Sequence, residues 1–430
     1  MKSKQLVESL RRRQLLQAAG AATAAAGLGL VGAPAFAQAG RRIKLGYVAP
    51  ITGPLAGFGE PCRYVVEQMR TVFKNINIGG KDYPIEIILK DSQSNPNRAA
   101  EVAAELILKD KVDLMLVSST PDTTNPVADQ CELNEMPCIS TDCPWQTWFY
   151  GRGGKPDVGF KWAYHFFWGL EDVIQVFTNM WSSVKTNKVV GGLFSNDADG
   201  NAWGDAKTGF PPTLTAKGFK LLDPGRFQNL TNDFSAQIAL FKKENVEIVT
   251  GVMIPPDFKT FWTQARQQGF RPKIVSIGKA LLFAPSIDSL GELGDGLTSE
   301  VWWGPTHPFK SSLTGQSSGQ LVSAYERDTK KQWAQSLGFS HALFEVAADV
   351  LKRTKDLNSK AGLRDTIAAT KINSIVGPIA WEGKPVKNIS KTPLVGGQWV
   401  KGKQHKYELM VVNNATAPSV PKGSELKLLS

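Results

Sequence analysis

In the stretch KIVSIGKALLFAP (273–285), a short apolar run ends at Gly278 and one lysine, Lys279, stands before the apolar residues resume. Ile274 to Ile277 predict a buried strand, so the ammonium group sits at the strand's carboxyl end, where open α/β sheets bind ligands. Facing a cleft, it would offer positive charge to an anion; facing outward, it would simply be solvated. Other groups with chemical potential carry weaker signals. Cys62, Cys131, Cys138 and Cys143 allow three full pairings, and the sequence does not choose among them. Cys131, Cys138 and Cys143 lack a C-x-x-C pair and a nearby histidine, and His165, His307, His341 and His405 are scattered, so no metal site is expected. Gly315-Gln316-Ser317-Ser318-Gly319 is formally G-x-S-x-G. A nucleophile elbow needs a strand running directly into the serine, and HPFKSSLTGQSSGQ is a loop by composition. No nucleophile, acid/base pair or metal cluster has supporting context, so neither an enzyme nor a cofactor is implied.

The N-terminus changes the compartment in which these groups act. SLRRRQLLQAAGAATAAAGLGLVGAPAFAQ has a basic start, a mild Ala/Gly/Leu run and a small-x-small step at Ala35-Phe36-Ala37, the pattern of an export signal. Arg12-Arg13-Gln14-Leu15-Leu16-Gln17 resembles the twin-arginine type. A membrane anchor would want about 20 predominantly apolar residues, and the large apolar side chains here are too few. Residues 1–37 are therefore expected to be removed after Ala37, leaving a periplasmic protein in a compartment that permits a disulfide. Gly27 to Gly32 match G-x-G-x-x-G, but a removed segment has no strand and helix to frame a dinucleotide. The 430-residue chain has a formal charge of +11. Without its first 37 residues it keeps 45 basic and 38 acidic side chains, a net +7 that falls short of a nucleic-acid signature.

The elements that must position these groups alternate. IKLGYVAP (43–50), YPIEIILKDS (83–92), VDLMLVSST (112–120) and MPCIS (136–140) predict strands, with helices at 64–76, after Asn95-Pro96, and through TTNPVADQCELNE (123–135). The alternation repeats at 188–197, 219–227, 246–254 and 273–278, and helices follow near 319–336 and 340–356. This predicts an α/β protein of two doubly wound parallel-sheet units, and the length suits two lobes.

IKLGYVAPITGPLAGFGEP, VDLMLVSSTPDTTNPVADQCELNEMPCIS, KVVGGLFSNDADGNAWG and IVGPIAWEGK, in that order, resemble the leucine/isoleucine/valine-type periplasmic solute-binding proteins of ABC importers. The resemblance implies a ligand cleft between lobes joined by a three-crossing hinge, near 161–169, 299–305 and 378–383. Lobe one would span 41–163 plus 304–378, and lobe two 164–303 plus 379–430. The implied partners are a small-molecule ligand and an inner-membrane permease, with the chain acting as a monomer. A ligand-sensing subunit of a signalling receptor on the same fold is the alternative of another class.

By the same resemblance, lobe one would grip a ligand carboxylate with Ser118, Ser119, Thr120, Thr123, Thr124 and Thr141, aided by N–H groups at helix starts. Asp142 fits poorly beside a carboxylate, because like charges repel. Lobe two would contribute Asn196, Asp199, Met253 and Lys279, and aromatic walls would come from Trp145 and Trp303. Amino-acid binders of this type place an acid where this chain has Gly278 or Lys279. An apolar or aromatic organic acid is therefore the expected ligand, with a branched-chain or other amino acid, or an amide, as the alternative.

Overall fold

Strands covered on both faces need unbroken apolar runs, and LMLVS (Leu114–Ser118), IVTGVM (Ile248–Met253) and IVSIGK (Ile274–Lys279) are buried throughout. They form the centres of two sheets in a computed structural model that describes residues 41–429. The expected export signal and the Gly27 to Gly32 run lie outside the described residues.

In chain order, β1 (Ile43–Ala49), β2 (Asn75–Ile78), β3 (Lys81–Asp91), β4 (Leu114–Ser118), β5 (Cys138–Thr141) and β6 (Ala163–Phe166) enter the first sheet. The second takes β7 (Val189–Ser195), β8 (Lys220–Leu222), β9 (Arg226–Phe227), β10 (Ile248–Met253), β11 (Ile274–Lys279) and β12 (Thr298–Val301). A separate hairpin joins β13 (Lys371–Ser374) to β14 (Gly377–Ala380). Finally β15 (Ile389–Ser390) returns to the first sheet, while β16 (Val395–Lys401) and β17 (Tyr407–Asn413) complete the second.

The first sheet runs β15-β6-β5-β4-β1-β3-β2 and the second β17-β16-β12-β11-β10-β7-β8, with β9 beside β7. Both are parallel at their centres: β1 lies between β3 and β4, and β10 between β7 and β11. This is the two-lobed α/β architecture that the alternation predicts. Helix starts follow the local chemistry. Asn95 Oδ1 accepts from the Arg98 N–H at 3.0 Å, capping the helix Pro96–Ala104 with proline in its first turn. Ser317, centre of the G-x-S-x-G match, caps the helix Ser318–Thr329 in the same manner, with Gln320 bonding back.

The chain passes between the sheets after β6, after β12 and between β15 and β16. The third passage, at 391–394, comes later than the expected 378–383, because Ile389 and Ser390 still pair with His165 and Phe166 of β6. The four cysteines are buried free thiols. No described helix is long and apolar enough to cross a membrane.

One glycine shows how tightly the second sheet's carboxyl edge is packed. A Cβ at Gly278 would lie 2.6 Å from the Trp203 ring and 3.3 Å from Glu300 Oε1, so only glycine lets that ring approach β11 so closely. Gly278→Ala is expected to lower stability by about 1–3 kcal/mol through overpacking, read as a lower urea midpoint with an unchanged slope.

Candidate functional site

Parallel strands β7 and β11 flank β10, so their carboxyl ends open on the same edge. Just past β7, Asp197 caps the helix Ala198–Trp203: its Oδ1 accepts from the Gly200 N–H at 2.8 Å. This puts Asp199 in the first helical turn. At the end of β11, Lys279 takes a left-handed backbone, φ +61°, a conformation uncommon outside glycine. Its Nζ lies 3.0 Å from Asp197 Oδ2 and 2.9 Å from Asp199 Oδ2. The three side chains are only 6%, 8% and 4% exposed, so this is a buried ionic group and not a surface pair.

Lys279 and Asp199 form one wall of a small cavity of about 20 Å³ between the sheets, together with Trp203, Val252, Leu282 and Glu300. Phe58, Thr120, Asp142, Pro144 and Phe167 come from the first-sheet side, and Trp168 and Trp302 from two of the chain passages. Phe58 stacks on Trp302 at 6.4 Å and meets Phe283 edge-on at 4.9 Å, closing the seam with rings.

The electrostatics differ from a positive wall. Burial works against the Lys279 charge, yet Asp197, Asp199 and, across the seam, Asp122 raise its pKa above the ordinary lysine range. Burial would also raise Asp197, but Lys279 and the Gly200 N–H bring it down to about 2. Burial carries Asp199 up to about 6, against the pull of Lys279, and carries Glu300 up to about 7. Asp142, left-handed at φ +75° and 3% exposed, is pushed well above the carboxylate range by burial. The cavity thus holds one ammonium group, already paired, and a surplus of carboxyls.

Several cavity residues keep buried polar atoms without a hydrogen-bond partner among the described residues. Oδ1 of Asp199 is an acceptor, and Nε1 of Trp168, Trp203 and Trp302 are donors; the Asp142 carboxyl, whose pKa burial raises, and the Thr120 hydroxyl can each serve as donor and acceptor.

Of the residues singled out from sequence, Thr120, Asp199 and Lys279 line the cavity. The others lie outside the lining, engaged in the protein's own bonds. Ser118 Oγ is 2.6 Å from the Tyr47 hydroxyl, Thr123 donates to Ser119 Oγ, Thr124 to Ser119 O and Thr141 to Phe166 O. Asn196 Oδ1 accepts from Asn201, and Met253 is buried in the second sheet's core. Trp145 Nε1 donates to Glu171 at 3.2 Å, a link from the helix Trp145–Phe149 to the helix Leu170–Ser182. Trp303 turns from the cavity, donating to Ile375 O and meeting Trp333 edge-on, while its neighbour Trp302 faces in. Phe58, Trp168, Trp203 and Glu300 are among the lining residues that sequence reasoning missed. Trp302 and Trp303 both fall at an expected chain passage, and the sequence favoured Trp303, since which of two consecutive side chains faces a cleft is not encoded locally.

Residues 42–403 match the periplasmic binding protein family. The chain belongs to that family. The fold of this binding protein is shared with a leucine-binding protein from Thermotoga maritima: 19% identity, 87% of this chain and 99% of that one, TM-score 0.69. It is shared with a branched-chain amino acid transporter substrate-binding protein from Streptococcus pneumoniae, solved in complex with isoleucine: 15% identity, 86% and 100% coverage, TM-score 0.66. A third is a solute-binding protein of an ABC transporter from Rhodopseudomonas palustris in complex with 3,4-dihydroxybenzoic acid: 19% identity, 86% and 96% coverage, TM-score 0.67.

Glu300 gives the site a testable pH signature. Its folded pKa, about 7, lies above the ordinary value of 4.5, so the fold binds an extra proton between them. The stability it contributes is fully present below about pH 4.5 and is lost as pH rises through 7. Glu300→Gln is expected to raise the melting temperature relative to wild type at pH 8 and to change it little at pH 5, measured by calorimetry at both.

Proposed function

We propose that this periplasmic binding protein is the solute receptor of an ABC importer, exported with its first 37 residues removed and working as a monomer without catalysis. Its solute is a compact molecule bearing hydrogen-bond donors and acceptors together, of the amide or amino acid kind. The observation that carries this reading is the set of partnerless atoms in one cavity. Donors on the solute would meet Asp142 and Asp199 Oδ1, and its acceptors would meet the indole N–H groups of Trp168, Trp203 and Trp302. Each such atom left buried and unpaired costs about 1–3 kcal/mol, so an occupant that pairs several would gain accordingly. The rings of Phe58, Phe167 and Trp302 suit a flat or apolar body.

The organic acid expected from sequence rested on a Lys279 charge facing the cleft and on the lack of an acid at Gly278 or Lys279. That charge is satisfied by Asp197 and Asp199, so Lys279 offers a bare carboxylate no free partner. Solutes of both classes occur on this fold, isoleucine in the Streptococcus protein and 3,4-dihydroxybenzoic acid in the Rhodopseudomonas one. The donor-hungry cavity here favours the amino acid or amide side.

Because the cavity draws on both sheets, solute would bind to one lobe and complete its shell when the hinge closes, biasing an existing open-closed equilibrium. The closed form would then dock on the permease. A thermal-shift screen of residues 38–430 against primary amides, α-amino acids and benzoates tests the reading. Melting should rise with amides or amino acids; a response to benzoates alone would sink it. With the responding solute, Trp203→Phe keeps a ring but removes an N–H and should weaken binding about tenfold by calorimetry, a loss of about 1.4 kcal/mol.

A further inference from the structure

Asp197 and Asp199 hold Lys279 Nζ at 3.0 and 2.9 Å, the spacing of charge-assisted hydrogen bonds between an ammonium group and carboxylates. The acceptors are built for it. Asp197 is fixed by the Gly200 N–H on one oxygen and by Asn229 Nδ2, 3.1 Å away, on the other. Asp199, a cavity-lining residue that is 97% buried, reaches the ammonium with Oδ2 and keeps Oδ1 without a hydrogen-bond partner among the described residues. Lys279 reaches this place through a left-handed turn at the last residue of β11, a backbone state that side-chain-bearing residues keep only where their surroundings hold them. The first turn of the helix Pro121–Leu133, which carries Asp122, packs against the helix that carries Asp199, so carboxylates approach from both sides of the seam.

We propose that Lys279 is a tethered cation: its ammonium occupies a primary-ammonium subsite made by Asp197 and Asp199, so that the cavity takes neutral amides in preference to α-amino acids. This deepens, and rests on, the reading of the cavity as the solute site. A ligand bringing its own free ammonium finds the paired carboxylates already neutralised and meets a like charge beside them. An amide NH2 asks only for the oxygens that remain, on Asp142 and Asp199.

Lys279→Ala deletes Cγ, Cδ, Cε and Nζ, the atoms of n-propylammonium, which makes chemical rescue the direct test. Titration calorimetry and melting curves would compare n-propylammonium with 1-propanol on the variant and on wild type. The amine should bind the variant at least about tenfold more tightly than wild type, raise its melting temperature where the alcohol does not, and be accompanied by new affinity for α-amino acids. Equal responses to amine and alcohol, or equal responses of the two proteins, would overturn the proposal. Should the alanine variant not fold, Lys279→Met loses only the charged end. Stabilisation by ammonium chloride beyond that by potassium chloride then supports the subsite, and equal effects refute it. None of these readouts needs the native solute, so failure of the amide screen on wild type would count against the solute reading alone.

Discussion

Taking an ammonium group out of water obliges the surrounding chain to bring negative charge to hydrogen-bond distance. In this protein that constraint falls on Lys279, and the carboxyl edge of the second sheet is arranged around it. The partners cannot come from the neighbouring strand, because β10 ends in Met253, whose side chain belongs to the core. They come from one strand further, where the turn after β7 presents Asp197 as a helix cap and Asp199 two residues later. The turn is tight: a Cβ at Gly200 would collide with the Ser195 carbonyl, so the helix starts directly under the strand it follows. Gly278 does the corresponding work on β11, letting the Trp203 ring approach the backbone next to Lys279.

Once the lysine is paired, the remaining carboxyls decide the character of the cavity. Burial raises the pKa of Asp142 well above the carboxylate range and that of Glu300 to about 7, which favours their neutral, hydrogen-bonding forms over repulsive charges. The indole N–H groups of Trp168, Trp203 and Trp302 supply the opposite polarity within the same space. On the proposed function, a cavity of mixed polarity with aromatic walls would distinguish solutes by hydrogen-bond pattern more than by charge.

The seam between the sheets is held by a second group of contacts away from the cavity. Glu171 and Asp172 at the start of the helix Leu170–Ser182 pair with Lys391 in the last chain passage, and Glu171 also accepts from Trp145. The charged side chains are half-buried and keep part of their surface in water, which moderates what each pair contributes. They suit a hinge, where strong contacts would fix one state.

The sequence by itself determined the alternation of strands and helices, and with it the parallel sheets, because near-continuous apolar runs such as Leu114–Ser118 and Ile248–Met253 can only be buried on both faces. It also marked Lys279 and Asp199 as cavity residues, since strand ends and the helix starts that follow them are local features. What it could not determine was that these two touch. They are 80 residues apart, and their meeting depends on the order β11-β10-β7, which hydrogen bonding between strands fixes and no local pattern encodes. The same limit hid Glu300 and exchanged Trp303 for Trp302, because which face of a strand meets the cavity is settled by its neighbours. A lysine read alone is a positive charge; only the tertiary structure showed that this one had been neutralised, because electrostatic partners are chosen by distance in space and not along the chain.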